Sequence, residues 1–425
     1  MNQRFDVVVV GGGSAGSSAA ISAARQGART LLVDRLPFLG GTSTAVLDTF
    51  YAFYTPGEAP RRVVGGLAWE VVEELTAAGV AFERPNTYGA GTGVTYDPEV
   101  LKVVWERLAE GAKVDVLLHT WATGVEVQDG RICAIRLWNK GGESVVEAGA
   151  VVDASGDADL CHMAGVPYDD ARSTPDQQSL STIFRCANVD VDRAASLPKS
   201  ELWALMREAS DSGRYRLPRL EGSWHRTPHP GVVTVHMTRI PNVDATDPLQ
   251  LTRAEIEGRR QVQEYHRFLR DLVRGFEHSV LVATSPAIGV RESRRVMGDY
   301  RLTRDDVLGA QRFADEVALC GAPIEDHTAG VDTRWTYVPG GGVYGIPYRC
   351  LLASEIEGML VAGRCFSASH DAHASARSMA TCMAMGQAAG TAAALAVALH
   401  EAPRSVDAGR LRAQLADDGA LLEPI

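Results

Sequence analysis

No two cysteines in this chain stand at C-x-x-C spacing, and the apolar run near its start is too short for a secretory leader. The seven cysteines (Cys133, Cys161, Cys186, Cys320, Cys350, Cys365 and Cys382) are scattered and odd in number. Reduced thiols in the cytoplasm are therefore expected, in place of a disulfide framework or a redox pair. Their spacing suits no iron–sulfur cluster. Lysine is scarce as well: Lys102, Lys113, Lys140 and Lys199 are the only lysines among 42 basic residues. With a net charge of −11, no nucleic-acid surface is expected, because binding phosphates needs concentrated Lys and Arg. Long hydrophobic runs are missing except from Met379 to Leu399, which carries Gly386-x-x-x-Gly390. That segment is mostly alanine with Gln387 and Thr391 inside, so it reads as a tightly packed buried helix and no membrane span is expected.

What is present suits two to three domain-sized units in 425 residues. The opening predicts strand, glycine turn, helix and strand over Phe5–Val10, Gly11–Gly16, Ser17–Gln26 and Thr30–Val33. Continuous apolar strands alternating with helices imply a parallel sheet covered on both faces. A helix is predicted over Asp97–Gly111. Alternating runs at Val114–Leu118, Gly124–Val127, Ile132–Leu137 and Ser144–Glu147 follow, with Asp129-Gly130 and Gly141-Gly142 as turns. They form a β-meander leading to a buried strand at Ala150–Asp153. Composition shifts near residue 165, and a helix is predicted from Thr252 to about Arg274. The boundaries drawn are 1–165 for the first part of a nucleotide-binding domain, 166–335 for an inserted α+β substrate or cap domain, and 336–425 for the return. The last strand is predicted at Gly358–Ala362, ahead of a long helix.

Gly11-x-Gly13-x-x-Gly16 follows a buried strand and opens a helix, the context a dinucleotide fingerprint requires. The glycines make the turn, admit a pyrophosphate to the backbone and let helix and strand pack closely. Ser14 and Ala15 lie in the turn just ahead of the helix, whose free N–H groups would meet the phosphates. Asp34, with Arg35 beside it, ends the second strand where a carboxylate can hold an adenosine ribose. These residues leave FAD and NAD open.

Four segments, VVVVGGGSAG with LLVDR, Phe38–Ser43, Val151–Asp157 and Leu360–Arg364 with the helix after it, decide between them. With them the chain resembles the glutathione-reductase-type FAD superfamily and its FAD-dependent oxidoreductases, including flavoproteins like fumarate reductase and succinate dehydrogenase. The resemblance implies an α/β fold with a Rossmann-like FAD-binding domain. It places FAD contacts at Gly40, Gly41, Thr42 and Ser43 in a diglycine loop, and at Val125 in the meander. It adds Ala154, Gly156 and Asp157 at the strand end, and Gly363, Arg364 and Ser378 near the C-terminus. Gly363-Arg364 departs from the Gly-Asp of the disulfide reductases. A helix opening at Ala374–Ser378 would aim its N–H groups at the flavin's pyrimidine edge and favour negative charge there. The diglycine loop holds no His or Cys for attachment, so non-covalent FAD is expected.

For chemistry, the Arg364–His373 loop is the densest polar cluster. His370 or His373 could move the proton that accompanies hydride transfer, with Arg364 and Tyr344 as further catalytic candidates. Each histidine could equally cap or pack the loop. His370-x-x-His373 lacks a third ligand, so no metal site is expected. Arg291 and its neighbours could clamp an anionic group or form ion pairs. The expected function is FAD-dependent dehydrogenation or oxidation of a small polar metabolite, or the reverse, with an electron acceptor the sequence does not name. Flavin monooxygenation and an electron-transferring subunit of a larger complex are the alternatives, and an oligomer is compatible with either.

Overall fold

The computed structural model of the chain describes residues 3–173, 177–328 and 333–425. It opens with β1 (Gln3–Val10), α1 (Ser14–Arg25) and β2 (Thr30–Val33). Val7, Val8 and Val9 are completely buried, because a strand covered on both faces has no side left for water. The helix begins at Ser14, three residues before the predicted start, so the second half of the glycine motif is already its first turn. Next comes α2 (Pro98–Gly111), where the Asp97 carboxylate accepts from the Glu99 N–H and Pro98 fixes the first helical φ. It is followed by β3 (Asp115–Leu117), β4 (Trp121–Gln128), β5 (Arg131–Asn139) and β6 (Gly142–Asp153).

These strands form one sheet in the order β3-β2-β1-β6-β5-β4. Pairing is parallel through β3, β2, β1 and β6, then antiparallel through β6, β5 and β4. The meander end and the buried strand, predicted as separate runs, are one strand. The first half of β6 pairs with β5 from Gly142 to Glu147, and its second half runs beside β1 to Asp153. Gly149 allows this, since a side chain there would strike the Asp6 carbonyl at 2.8 Å.

A second core lies between β7 (Phe184–Ala187), β8 (Ser223–Arg226), β9 (Val233–His236), α3 (Pro248–Leu272) and β10 (Val280–Thr284). The four strands form an antiparallel sheet, β8-β9-β7-β10. Phe184, Val235, Tyr265 and Phe268 share its interior with other apolar side chains. α3 starts at the Asp247 cap, a turn earlier than predicted. Val296 to Ile324 bury their apolar side chains in the first core, although the boundary at 335 placed them with the second.

The chain then returns through β11 (Met359–Val361), α4 (His370–Ala376) and α5 (Met379–Leu399). β11 lies parallel to the end of β6, with Leu360 opposite Val152. α5 is long and apolar enough to cross a membrane by length and composition, yet 78% of that stretch is buried inside the protein. It packs on α1. A Cβ on Gly386 or Gly390 would stand 2.0 Å from the Ala15 or Ala19 carbonyl oxygen, so the glycine spacing is a groove for a helix backbone.

Candidate active site

A cleft with about 1700 Å³ of empty space, its open mouth included, runs over the C-terminal ends of β1, β2 and β6. That is where an open α/β sheet binds ligands. Gly11 turns the chain at the end of β1 with φ +100°, and a Cβ there would lie 2.3 Å from the Ala154 carbonyl oxygen. Gly16 lets α1 return against that turn, since a side chain on it would strike the Gly11 oxygen at 1.7 Å. The Phe38–Ser43 loop docks on the turn through a bridge between Gly40 and Gly13.

The cleft fits an extended dinucleotide on three observations. No side chain caps α1 at Gly13, so its first N–H groups are free, and the buried Ser14 Oγ beside them has no partner. No side chain caps α5 at Ser378 either, so a second positive helix end opens on the cleft. Gly11, Gly13, Ser14, Ala15, Asp34, Arg35, Gly41, Thr42, Ala154, Gly156, Gly363, Arg364 and Ser378 all line it.

Asp34 does more than wait for a ribose. Its carboxylate accepts the Gly12 N–H and, at 2.6 Å, the Leu36 N–H, holding the glycine turn against the end of β2. Burial raises its pKa, opposed by these backbone bonds. Asp34→Ala should raise the FAD dissociation constant by about 10–100-fold, the equivalent of losing roughly 1.5–3 kcal/mol from a charge-assisted bond. Titration of FAD into apoprotein measures it, and an unchanged constant would place the cofactor's anchorage elsewhere.

Several expected contacts sit differently. Val125 does not line the cleft; Thr120, Trp121 and Ala122 do. The register of β4 against β5 shifts between Ala122 and Gly124, and Val125 lies beyond that irregularity. Gly16, Gly40 and Ser43 shape the backbone from behind, the Ser43 hydroxyl donating to the Gly40 carbonyl at 2.8 Å. Asp157 is turned away as well. It takes Ser293 Oγ at 2.6 Å and Arg364 Nη2 at 2.8 Å, tying three segments together. Burial opposes its charge, but Arg364, the Ser293 hydrogen bond and Arg35 together outweigh it and lower its pKa.

The catalytic candidates divide. Arg364 reaches the cleft; His370, His373 and Tyr344 do not. The end of the segment predicted as a loop, from His370 on, is the first turn of α4, started by Ser369, whose hydroxyl accepts from the Ala372 N–H. The helical turn carries His373 into the core, stacked on Phe366 with its Nε2 bonded to the Arg364 carbonyl at 2.8 Å. Burial holds it neutral, and its Nδ1 has no partner. Tyr344 is sealed too, its hydroxyl 2.6 Å from Ser375 Oγ.

His370 pairs through Nδ1 with Glu292 at 2.9 Å, and the same carboxylate oxygen takes Arg295. Burial works against charge on His370, but the Glu292 bond prevails and raises its pKa. A raised pKa means stability that is full below the unfolded value of about 6.5 and is lost as pH rises through the folded value. His370→Ala should therefore lower the Tm more at about pH 6 than at about pH 9. FAD should stay bound, and flavin reduction should change by less than about tenfold, below the general acid–base range. A hundredfold slower reduction would restore His370 as the proton carrier.

Other groups meet in the cleft in their place. Arg377 lines it just before α5, with its Nε and Nη2 buried and without partners. Arg291 lies close by, its Nη1 donating to the Ser179 carbonyl at 2.6 Å and Ser181 Oγ at 2.9 Å. Burial, then the charge of Arg377, brings the pKa of Arg291 down to about 9. Glu325 lines the cleft too and accepts from His327 Nε2 at 2.7 Å. Burial opposes its charge, but His327, Arg377 and Arg291 keep it ionised. Tyr51 stands on the same wall, its hydroxyl accepting from Arg84 Nη2 at 2.6 Å. Burial lowers the pKa of Lys199 and Arg219 as well, Arg84 and Arg219 adding to it for Lys199. A protein of net charge −11 has thus drawn cations to one place.

Residues 6–415 match the family model described as FAD dependent oxidoreductase. The digeranylgeranylglycerophospholipid reductase 2 of Methanothermobacter thermautotrophicus is 28% identical over 193 residues, 44% of this chain and 48% of that protein. The digeranylgeranylglycerophospholipid reductase of Thermoplasma volcanium is 26% identical over 203 residues, 45% of this chain and 48% of that protein. The matched region spans about half the length of these curated relatives. A geranylgeranyl bacteriochlorophyll reductase-like crystal structure from Thermoplasma acidophilum superposes with TM-score 0.50 at 14% identity, covering 98% of this chain and 83% of that one.

Proposed function

Because the chain belongs to the FAD dependent oxidoreductase family and its cofactor is FAD, we propose that it moves hydride between FAD and a carbon of a small polar metabolite bearing a carboxylate. FAD supplies the hydride chemistry when bound. The observation that carries the substrate class is Arg377: a guanidinium in the cleft wall with two buried, unpartnered nitrogens. Such donors cost free energy unless a ligand meets them, and a planar guanidinium matches a carboxylate in a paired geometry. Arg291, already bonded to Ser179 and Ser181, adds fixed positive charge behind it.

Orientation then falls to Arg377, and proton handling to two groups of the cleft wall, Tyr51 as donor and the ionised Glu325 as acceptor. Tyr51 has its oxygen held by Arg84, which leaves its proton free to point into the cleft. Within the span drawn at 166–335, the strands and helix of the second core fit a substrate domain on this reading, with Ala287, Ile288 and Val290 lining the cleft. Seven unpaired thiols suit a reducing, cytoplasmic setting. The finer likeness to fumarate reductase flavoproteins rests on the sequence motifs.

Anaerobic mixing of the oxidised holoprotein with carboxylate metabolites and their amides tests the reading. Bleaching of the flavin by an acid but not by its amide is the expected result. Bleaching by neither, together with reoxidation of reduced protein by an isoprenoid alkene, would transfer the function to the class named for the relatives. The apolar side chains of Val46, Ile288 and Val290 in the cleft are the observation that favours this second reading.

FAD attachment has its own test. Cys382 is the thiol that lines the cleft, and burial pushes its pKa up to about 12, so it is a poor nucleophile. Acid precipitation should leave the yellow colour in the supernatant; pigment in the pellet would mean a covalent bond.

A further inference from the structure

Asp48, His225 and His236 converge from two halves of the chain. Asp48 lies between Leu47 and Tyr51, both of which line the cleft, and is completely buried. His225 is on β8 and His236 on β9, with His225 paired opposite Thr234. His236 is two residues beyond Thr234, so all three side chains project from one face of the sheet. That face meets Asp48. Asp48 Oδ1 is 2.9 Å from His225 Nε2, and the two imidazole rings are 5.1 Å apart. One donor atom from each residue lies within 4.8 Å of the others.

We propose that Asp48, His225 and His236 bind one divalent first-row transition-metal ion, of the zinc, iron(II) or manganese class. Two imidazoles and a carboxylate are the borderline donor set such ions take. The Asp48–His225 hydrogen bond alone would satisfy those two groups. It leaves His236 unexplained, because its Nε2 is buried and has no hydrogen-bond partner, while one of its ring nitrogens belongs to the cluster. Donors around a tetrahedral ion with bonds of about 2.0–2.1 Å stand roughly 3.4 Å apart, so a shift of up to about 1.4 Å by His236, with the Asp48–His225 pair opening by about 0.5 Å, would complete the set. The Thr234 hydroxyl donates to the other Asp48 oxygen, orienting the carboxylate as outer-shell partners do. The charges acting on the cluster are those of Arg185 on Asp48 and of Arg84 and Arg219 on His236. They oppose a dication, so the donor geometry has to supply the affinity. An ion here would clamp the β8–β9 sheet to the segment that leads into the cleft.

The test uses the FAD-loaded protein after dialysis against a chelator, titrated separately with Zn2+ and Co2+. About one equivalent should be retained after gel filtration, with tetrahedral Co2+ absorption bands and a higher Tm. His236→Ala and, more conservatively, His236→Gln should each cut retention at least tenfold while FAD content stays the same. Wild-type protein that keeps less than about a tenth of an equivalent of either ion, with no Tm change, would overturn the proposal. The cluster would then be a buried ion pair between the two halves. Retention unaffected by either His236 variant would overturn it as well. The wild-type titration decides the matter even if a variant fails to fold.

Discussion

Arg377→Met should leave FAD bound and slow flavin reduction by the carboxylate substrate about 10²–10³-fold, the range for losing one preorganised charged donor from a water-poor site. The side chain stands immediately before α5, where the helix's free N–H groups already favour negative charge. Burial lowers its pKa, with Glu325 and Glu292 acting in the opposite sense. Among the described residues nothing takes its Nε or Nη2, which leaves both donors for the proposed carboxylate. Methionine keeps much of the stem's volume and removes the charge, which limits the damage to packing. Arg377→Lys should rescue little, because a point charge cannot present two parallel donors. Stopped-flow absorbance in the absence of oxygen reads the rate, and saturation with substrate separates lost binding from lost chemistry. Reduction at the wild-type rate would sink the carboxylate clamp and with it the proposed substrate class.

Gly386→Val should cost the protein both its flavin and much of its stability. Even the first carbon of a side chain would come within 2.0 Å of the Ala15 carbonyl oxygen and 2.9 Å of the Ala15 Cα. The obstacle is backbone, which cannot swing aside as a side-chain tip can, so α5 and α1 must separate. Both helices present their N-terminal ends to the cleft, so parting them moves both positive ends at once. Overpacking of this kind costs about 1–3 kcal/mol or more, which corresponds to a Tm drop of at least roughly 1–3 °C in a chain of this length. The expected preparation is colourless and melts early. Gly111→Ala makes the control: no atom lies within 4 Å of the added carbon, and it replaces a glycine in the last turn of α2. It should be neutral or slightly stabilising, by up to about 1 kcal/mol. If Gly386→Val stays yellow at the control's Tm, the helix contact has been given too much weight.

How much of this was legible in advance depends on how local the physical cause was. The fingerprint at Gly11, Gly13 and Gly16 reads directly, since turn, helix start and close packing are settled within a few residues of chain. The same holds for the Asp97-Pro98 helix start and for the order of the four cofactor segments. Gly386 and Gly390 promised a close helix partner, though not that the partner would be α1. The boundary of β6 was not readable. Alternating and continuous apolar runs looked like two elements, and only the neighbours β5 and β1 make them one strand. Val125 fell to the same cause, for a shift of register between paired strands leaves no mark on either strand alone.

The sequence by itself determined that this chain is an α/β protein built to hold a dinucleotide at the ends of parallel strands, because the backbone geometry this needs demands glycine at fixed spacings, and the resemblance of its four segments made that dinucleotide FAD. Tertiary structure alone decided which charged groups meet in the cleft. His370 and His373 stood beside a cofactor segment in the sequence, yet Ser369 starts a helix that carries one into the core, and Glu292 holds the other. Tyr51 stands more than 250 positions before Glu325 and Arg377, and Asp48 more than 170 before His225 and His236. A charged side chain's role depends on what is buried with it, since burial and neighbouring charges set its protonation and its unmet hydrogen bonds. Those neighbours come from other turns of the chain, and only packing brings them together.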